Sequence, residues 1–169
     1  MNLSEFQDAY EDVERIQGAL LTAPVSELSM REPVLIDATA SVVDAVDAMN
    51  EHHIGCLLVQ RHGKLVGIFT ERDVLTRVVF LEGNRAMKVS DAMTPSPETL
   101  RATDSLAFAL NRMSDGGYRH VPIVDRDGNA VGVLSVKDIV NFLVDLFPED
   151  VLNLPPTPDL GIAKDADGG

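Results

Sequence analysis

The sequence holds a single cysteine, Cys56, so no intramolecular disulfide can form. No apolar run approaches the roughly 18 residues a membrane span needs. The opening stretch, MNLSEFQDAYEDVER, is acidic where a secretory leader would be basic and then apolar, so a cytoplasmic protein is expected. Positive charge is scarce: 14 Lys and Arg stand against 27 Asp and Glu, a net charge of -13. That field opposes phosphate backbones and anionic lipid, which argues against nucleic acid or membrane as a partner. A small anionic ligand would need a local cationic pocket against it. Catalytic signatures are missing too, with no nucleophile elbow, Walker loop, metal-protease helix or dinucleotide fingerprint. His52 and His53 have no third ligand at metal spacing, so no metal site and no enzyme are expected.

What is present is said twice. GIFTERD, Gly67 to Asp73, returns as GVLSVKD, Gly132 to Asp138, at an offset of 65, and HGKLVG (62–67) matches DGNAVG (127–132) at the same offset. ATASVVDAVDAM (38–49) matches ATDSLAFALNRM (102–113) at an offset of 64. The copies are collinear with one residue of slippage between Met49 and Leu57, a tandem duplication whose period exceeds the roughly 20 to 50 residues of solenoid repeats. A chain of 169 residues, 45% hydrophobic, can enclose one core or two small repeats that share one.

Each copy predicts the same elements. PVLI (33–36) and ETLR (98–101) are short strand candidates. Val42, Val43, Val46 and Met49, like Leu106, Ala107, Leu110 and Met113, recur at helical spacing. GCLLVQ and HVPIVD, then LVGIF and AVGVL, are strands joined by the glycine turns RHGK and DRDGN into hairpins. Thr70 and Ser135 then open helices with apolar stripes at Val74, Leu75, Val78, Val79 and at Ile139, Val140, Leu143, Val144. The expected fold is α/β (α+β), two β-α-β-β-α repeats packed as one module, since one repeat alone buries too little apolar surface. Leu3, Phe6, Tyr10, Val13, Ile16 and Leu20 mark an added N-terminal helix with Ser4 as its cap. The expected division is helix 1–23, repeat 24–82, linker 83–87, repeat 88–147 and a Pro-rich, partly mobile tail 148–169.

A hydroxyl followed three places on by an acid is first of all a helix cap, and many such boxes do nothing more. Three features go beyond that: both boxes follow directly on a strand, both enclose a cation (Arg72, Lys137), and both use Asp where a reciprocal cap prefers Glu or Gln. A strand entering a helix N-terminus favours phosphate, and a short acid beside it suits a ribose diol. Together they point to a nucleotide. The plainer readings of other residues are Cys56 as a small buried hydrophobe, Met49 and Met113 as core fillers, and Arg119 and His120 as solvated strand-edge charge.

The order GhhTxxD after a hairpin, the preceding YRHVPIVD, the helix after each Ala-Thr pair and the repetition itself closely resemble a tandem pair of cystathionine-beta-synthase (CBS) domains, a Bateman module. The resemblance covers residues 24–147, about three quarters of the chain. It implies two pseudo-twofold-related repeats with two clefts between them, each able to hold AMP, ADP, ATP or S-adenosylmethionine as a regulatory ligand, with no cofactor required. Carried over by position, one cleft combines Thr70, Arg72 and Asp73 with Thr103, Arg119, His120, Val121 and Pro122. The other combines Ser135, Lys137 and Asp138 with Thr39, Ile54, Gly55 and Cys56. The second cleft has HIGCLLV where the first has basic residues, so the Asp73 cleft is expected to hold phosphate more tightly. The family also implies a homodimer, and the flanking ends suggest a stand-alone pair acting in trans on an unidentified protein. The alternatives are a ligand-free dimeric interaction scaffold and a minor role in nucleotide turnover.

Overall fold

The computed structural model describes residues 14, 18–19, 21–79 and 86–146. The apolar stripe expected at Leu3 to Leu20, residues 83–85 of the expected linker and the Pro-rich tail lie outside the described residues.

The first repeat builds β1 (Leu35–Asp37), α1 (Val42–His52), β2 (Cys56–Arg61), β3 (Lys64–Thr70) and α2, which opens as Glu71–Asp73 and continues through a π-helical turn, Val74–Val78. Ser41 starts α1 by a reciprocal box with Asp44, and the helix stops where His53 turns left-handed at φ 52. Gly63, at φ 75, makes the tight turn between β2 and β3. The second repeat follows with α3 (Val89–Ala92), β4 (Thr94–Pro95), α4 (Leu106–Gly116), β5 (His120–Val124), β6 (Ala130–Ser135) and α5 (Val136–Leu146). Ser105 caps α4, Gly117 ends it at φ 65, and Gly128 turns β5 into β6. None of the described helices is long and apolar enough to cross a membrane.

Strands β1 to β4 form one sheet in that order, with β1 parallel to β2 and both other pairings antiparallel; β5 and β6 form an antiparallel pair. The strand expected at 98–101 shrinks to a single parallel bridge, Leu100 to Ile123. It still carries two backbone bonds, Leu100 N to Pro122 O at 3.0 Å and Val124 N to Leu100 O at 2.9 Å.

Packing departs from chain order at the segment that leads into each repeat. Residues ahead of β1 sit on the second repeat: Val25 N donates to Asp104 O and Ser26 N to Ala102 O, both at 2.8 Å, and Arg31 bridges Val133 of β6. The equivalent residues ahead of the second repeat sit on the first: Val89 N donates to Ala40 O at 2.9 Å and Ser90 N to Ala38 O at 3.0 Å, and β4 extends the sheet beyond β3. Each core is closed by the other repeat's lead segment. Val89 and Ala92 complete the cluster of Val42, Met49, Leu57, Val59 and Phe69, while Val25 and Leu28 complete that of Leu100, Leu106, Val121, Ile123 and Leu134. Burying each large side chain is worth about 1.5 to 3 kcal/mol, so the exchange ties the two halves into one folding unit. Cys56, Leu58 and Ile68 form a third cluster against Leu65, Ala130 and Val133, joining the two hairpins.

Candidate functional site: two clefts around a shared wall

The first lip forms where β3 runs into α2. Thr70 Oγ1 donates to Asp73 Oδ2 at 2.7 Å, Thr70 N donates to the same oxygen at 2.9 Å, and Asp73 N donates back to Thr70 Oγ1 at 3.3 Å. Aspartate therefore closes a reciprocal box here, in spite of its short side chain, because the strand brings the Thr70 N–H directly over the first turn. Asp73 is only 6% exposed, and its other oxygen is also engaged. Arg77 Nη1 lies 3.3 Å from Oδ1, and Thr94 Oγ1, from the β4 segment, lies 3.4 Å from it. Arg77 also donates to the carbonyls of Ala92 (3.0 Å) and Met93 (2.6 Å), and Arg72 donates to that of Gly117 at 2.6 Å.

These groups line a cleft of about 340 Å³ whose opposite side is Gly116 to His120, at the end of α4 and the start of β5. That volume falls in the range of small-molecule sites, about 300 to 1,000 Å³. Pro97, Glu98 and Tyr118 complete it. Tyr118 donates its hydroxyl to Glu98, and Glu98 pairs with Arg112 Nε at 3.1 Å. Loss of solvent, then that hydrogen bond, pushes the Tyr118 phenol up to about 12.

The second lip forms in the same way where β6 meets α5. Ser135 donates to Asp138 Oδ2 from its N at 2.8 Å and its Oγ at 2.6 Å, and Asp138 N returns a bond at 3.2 Å. Its cleft, about 990 Å³, is wider and is walled by Arg31, Pro33, Val34, His53 and Lys137 among others. Burial first, then the nearby Asp138 and Glu71 charges, pushes the Cys56 thiol up to about 12, so it stays a protonated wall atom.

Of the residues expected in the first cleft, the structure gathers Thr70, Arg72, Asp73, Arg119 and His120 around one cavity. Val121 and Pro122 are buried in β5, outside that cavity, and Thr103 is exposed elsewhere. In the second, Ser135, Lys137, Asp138, Ile54, Gly55 and Cys56 come together, whereas Thr39 does not, its hydroxyl donating to Asp37 at 2.6 Å. Arg77, Thr94, Glu98, Tyr118 and Arg31 were not foreseen. Arg77 carries the plainest available signal, standing four places after Asp73 on the same helix face. The stretch HIGCLLV brings no basic pair to the second cleft, but Arg119 and His120 line both clefts and Arg31 joins Lys137 there from the exchanged lead segment. Burial, then the neighbouring Arg119 charge, lowers the His120 pKa from its ordinary 6.5 and favours the neutral imidazole.

The family model described as "CBS domain" matches residues 25–79 and 89–145. The chain is 32% identical over 120 residues to "CBS domain-containing protein CBSX3, mitochondrial" of Arabidopsis thaliana, over 68% of this chain, and spans 58% of that relative's length. The structure of CBSX2 in complex with AMP, from Arabidopsis thaliana, is 26% identical with a TM-score of 0.64, covering 73% of this chain and 97% of that one. The CBS domain pair of protein MJ0100, in complex with 5'-methylthioadenosine and S-adenosyl-L-methionine, is 25% identical with a TM-score of 0.63, covering 71% and 98% respectively.

Proposed function

The chain belongs to the CBS-domain family as a tandem pair, and from that premise we propose that it is a regulatory sensor binding an adenosine-containing ligand between its repeats. The observation that carries the reading is the first cleft. There a buried aspartate and its hydroxyl partner, from one repeat, face arginine and histidine from the other. Asp73 would accept from the ribose diol, displacing Arg77 or Thr94, while Arg72, Arg77 and Arg119 supply the local positive field that a chain of net charge -13 must concentrate. AMP, 5'-methylthioadenosine and S-adenosylmethionine in the related structures support this ligand class.

Signalling follows from differential affinity: a ligand touching both repeats favours the arrangement in which both sides of the cleft reach it. The readout we propose is a homodimer or a protein partner. Leu75 (63% exposed) and Val140 (50%) stand at equivalent places on α2 and α5 and offer matched apolar faces. No chemistry is assigned to the clefts, and the Cys56 thiol of the second is held protonated. The division into helix 1–23, repeats 24–82 and 88–147, linker 83–87 and tail 148–169 is part of the same proposal.

One observation favours the rival reading of a ligand-free dimeric scaffold, namely that both Asp73 oxygens already have partners within the chain. Thermal unfolding with AMP, ADP, ATP, S-adenosylmethionine and GTP separates the two. A ligand at about 100 times its dissociation constant adds roughly 2.7 kcal/mol. A raised midpoint with one adenosine compound, lost in Asp73→Ala, supports the sensor; no shift with any compound makes the scaffold the better reading.

A further inference from the structure

The two clefts are not separate chambers. Arg119, His120, Gly55 and Glu71 line both, so one short wall serves two ligand positions. That wall is lopsided about the pseudo-dyad. The 65-residue offset sets Ile54 and Gly55 opposite Arg119 and His120, so a symmetric pair of cations is replaced by one. Among the described residues the Arg119 guanidinium has no hydrogen bond or ion pair, while Arg72 and Arg77 in the first cleft are already bound to carbonyls and to Asp73. His120 adds no positive charge near neutral pH, since burial favours its neutral form. Glu71, on the same wall, adds a negative one.

Resting on the adenosine-ligand reading, we infer that the clefts are negatively coupled for phosphorylated nucleotides, because both draw on the single Arg119 guanidinium of their shared wall. A first phosphate neutralises Arg119 and leaves its own excess negative charge in the wall. A second phosphate entering from the other side meets that charge, a spent cation and Glu71 on the shared wall, with Arg31 and Lys137 of the second cleft as the cations that remain to it. An uncharged adenosine compound meets none of this. The chain therefore takes one nucleotide readily and a second with difficulty, whereas a nucleoside without phosphate can join a bound nucleotide. Coupling of this kind between sites is ordinarily worth about 5- to 150-fold in affinity.

The test is calorimetric titration of the full chain with AMP and, separately, with adenosine. Asp138→Asn and Asp73→Asn each disable one cleft and report the other's dissociation constant by itself. Charge reversals at the exposed Lys137 and Arg72 replace them should an Asn variant lose its fold. The product of the two wild-type constants, divided by the product of the two single-cleft constants, is the coupling factor whatever the intrinsic inequality of the clefts. For AMP we expect at least about tenfold. For adenosine we expect unity within error, and the AMP factor should fall towards unity in Arg119→Ala. A factor of one for AMP, a factor that survives Arg119→Ala, or a single-cleft variant that binds no AMP at all overturns the coupling while leaving an adenosine-binding protein. Absence of AMP and adenosine binding in every form defeats the ligand reading itself, and the coupling with it.

Discussion

At the lip after β3, Asp73 is buried and meets Thr70, Arg77 and Thr94; at the lip after β6, Asp138 is half-buried and, among the described residues, hydrogen-bonds Ser135 alone. The backbone is the same in both, a strand delivering a hydroxyl residue to the first turn of a helix. The difference lies one turn further on and across the sheet. Arg77 has Phe142 as its counterpart, a core-packing side chain, and Thr94 has Met30, which packs against the second repeat's core. Duplication thus preserved the cap, which is local, and let the surrounding charge diverge. Each lip holds its shape without a ligand, but only the first holds a built-in cation that a ligand must displace or share.

The largest expected effects test whether the halves can be compared as parts of one unit. Phe69 and its counterpart Leu134 are both fully buried. Phe69→Ala should cost about 3 to 5 kcal/mol and Leu134→Ala about 2 to 5 kcal/mol in urea unfolding, each in one transition. Two transitions, with one half unfolding alone, would break the comparison at its root. A smaller difference should separate the lips. Asp73→Ala strands the Thr70 N–H and leaves Arg77 without its acid, an expected loss of about 1 to 3 kcal/mol. Asp138→Ala strands the Ser135 N–H in the same way but releases no paired cation, an expected loss of about 1 kcal/mol. Equal losses in the same denaturant series would mean that Arg77 and Thr94 add nothing.

The smallest effect concerns His120, whose counterpart is Gly55. Its folded pKa lies below the ordinary 6.5, so the unfolded chain takes up the proton first. That makes the contribution of neutral His120 complete above 6.5 and lost progressively as the pH falls through that value towards the folded pKa. The unfolding midpoint should drop over that window, and less so in His120→Gln. An identical pH profile for the variant would assign the acid sensitivity to the carboxylates.

Most of the repeat was legible because its signals are local: glycine turns, capping hydroxyls and apolar periodicity lie within a few residues of one another. The capping boxes of Thr70 with Asp73 and of Ser135 with Asp138 are signals of that kind. Val121 and Pro122 were misplaced because adjacency in sequence to His120 does not carry across a strand buried on both faces, as β5 is over Val121 to Ile123. Arg77 interrupts the apolar stripe Val74, Leu75, Val78, Val79. The π-helical turn of Val74–Val78, closed by Val79 N to Val74 O at 3.0 Å, shifts that stripe from the regular helical register. Thr94 and Arg31 come to the clefts through long-range pairing of the lead segments, which no local pattern records.

That exchange of lead segments has a bearing on where such a chain comes from. A half cut out by itself keeps a segment it does not use and lacks the one that closes its core. Two copies of such a half could finish folding only by trading those segments, each lending its leading residues to the other. In that light the two halves are, in their packing, a domain-swapped pair joined in one chain. Separately produced halves 21–79 and 86–146, each poorly folded alone, should recover their helical signal on mixing.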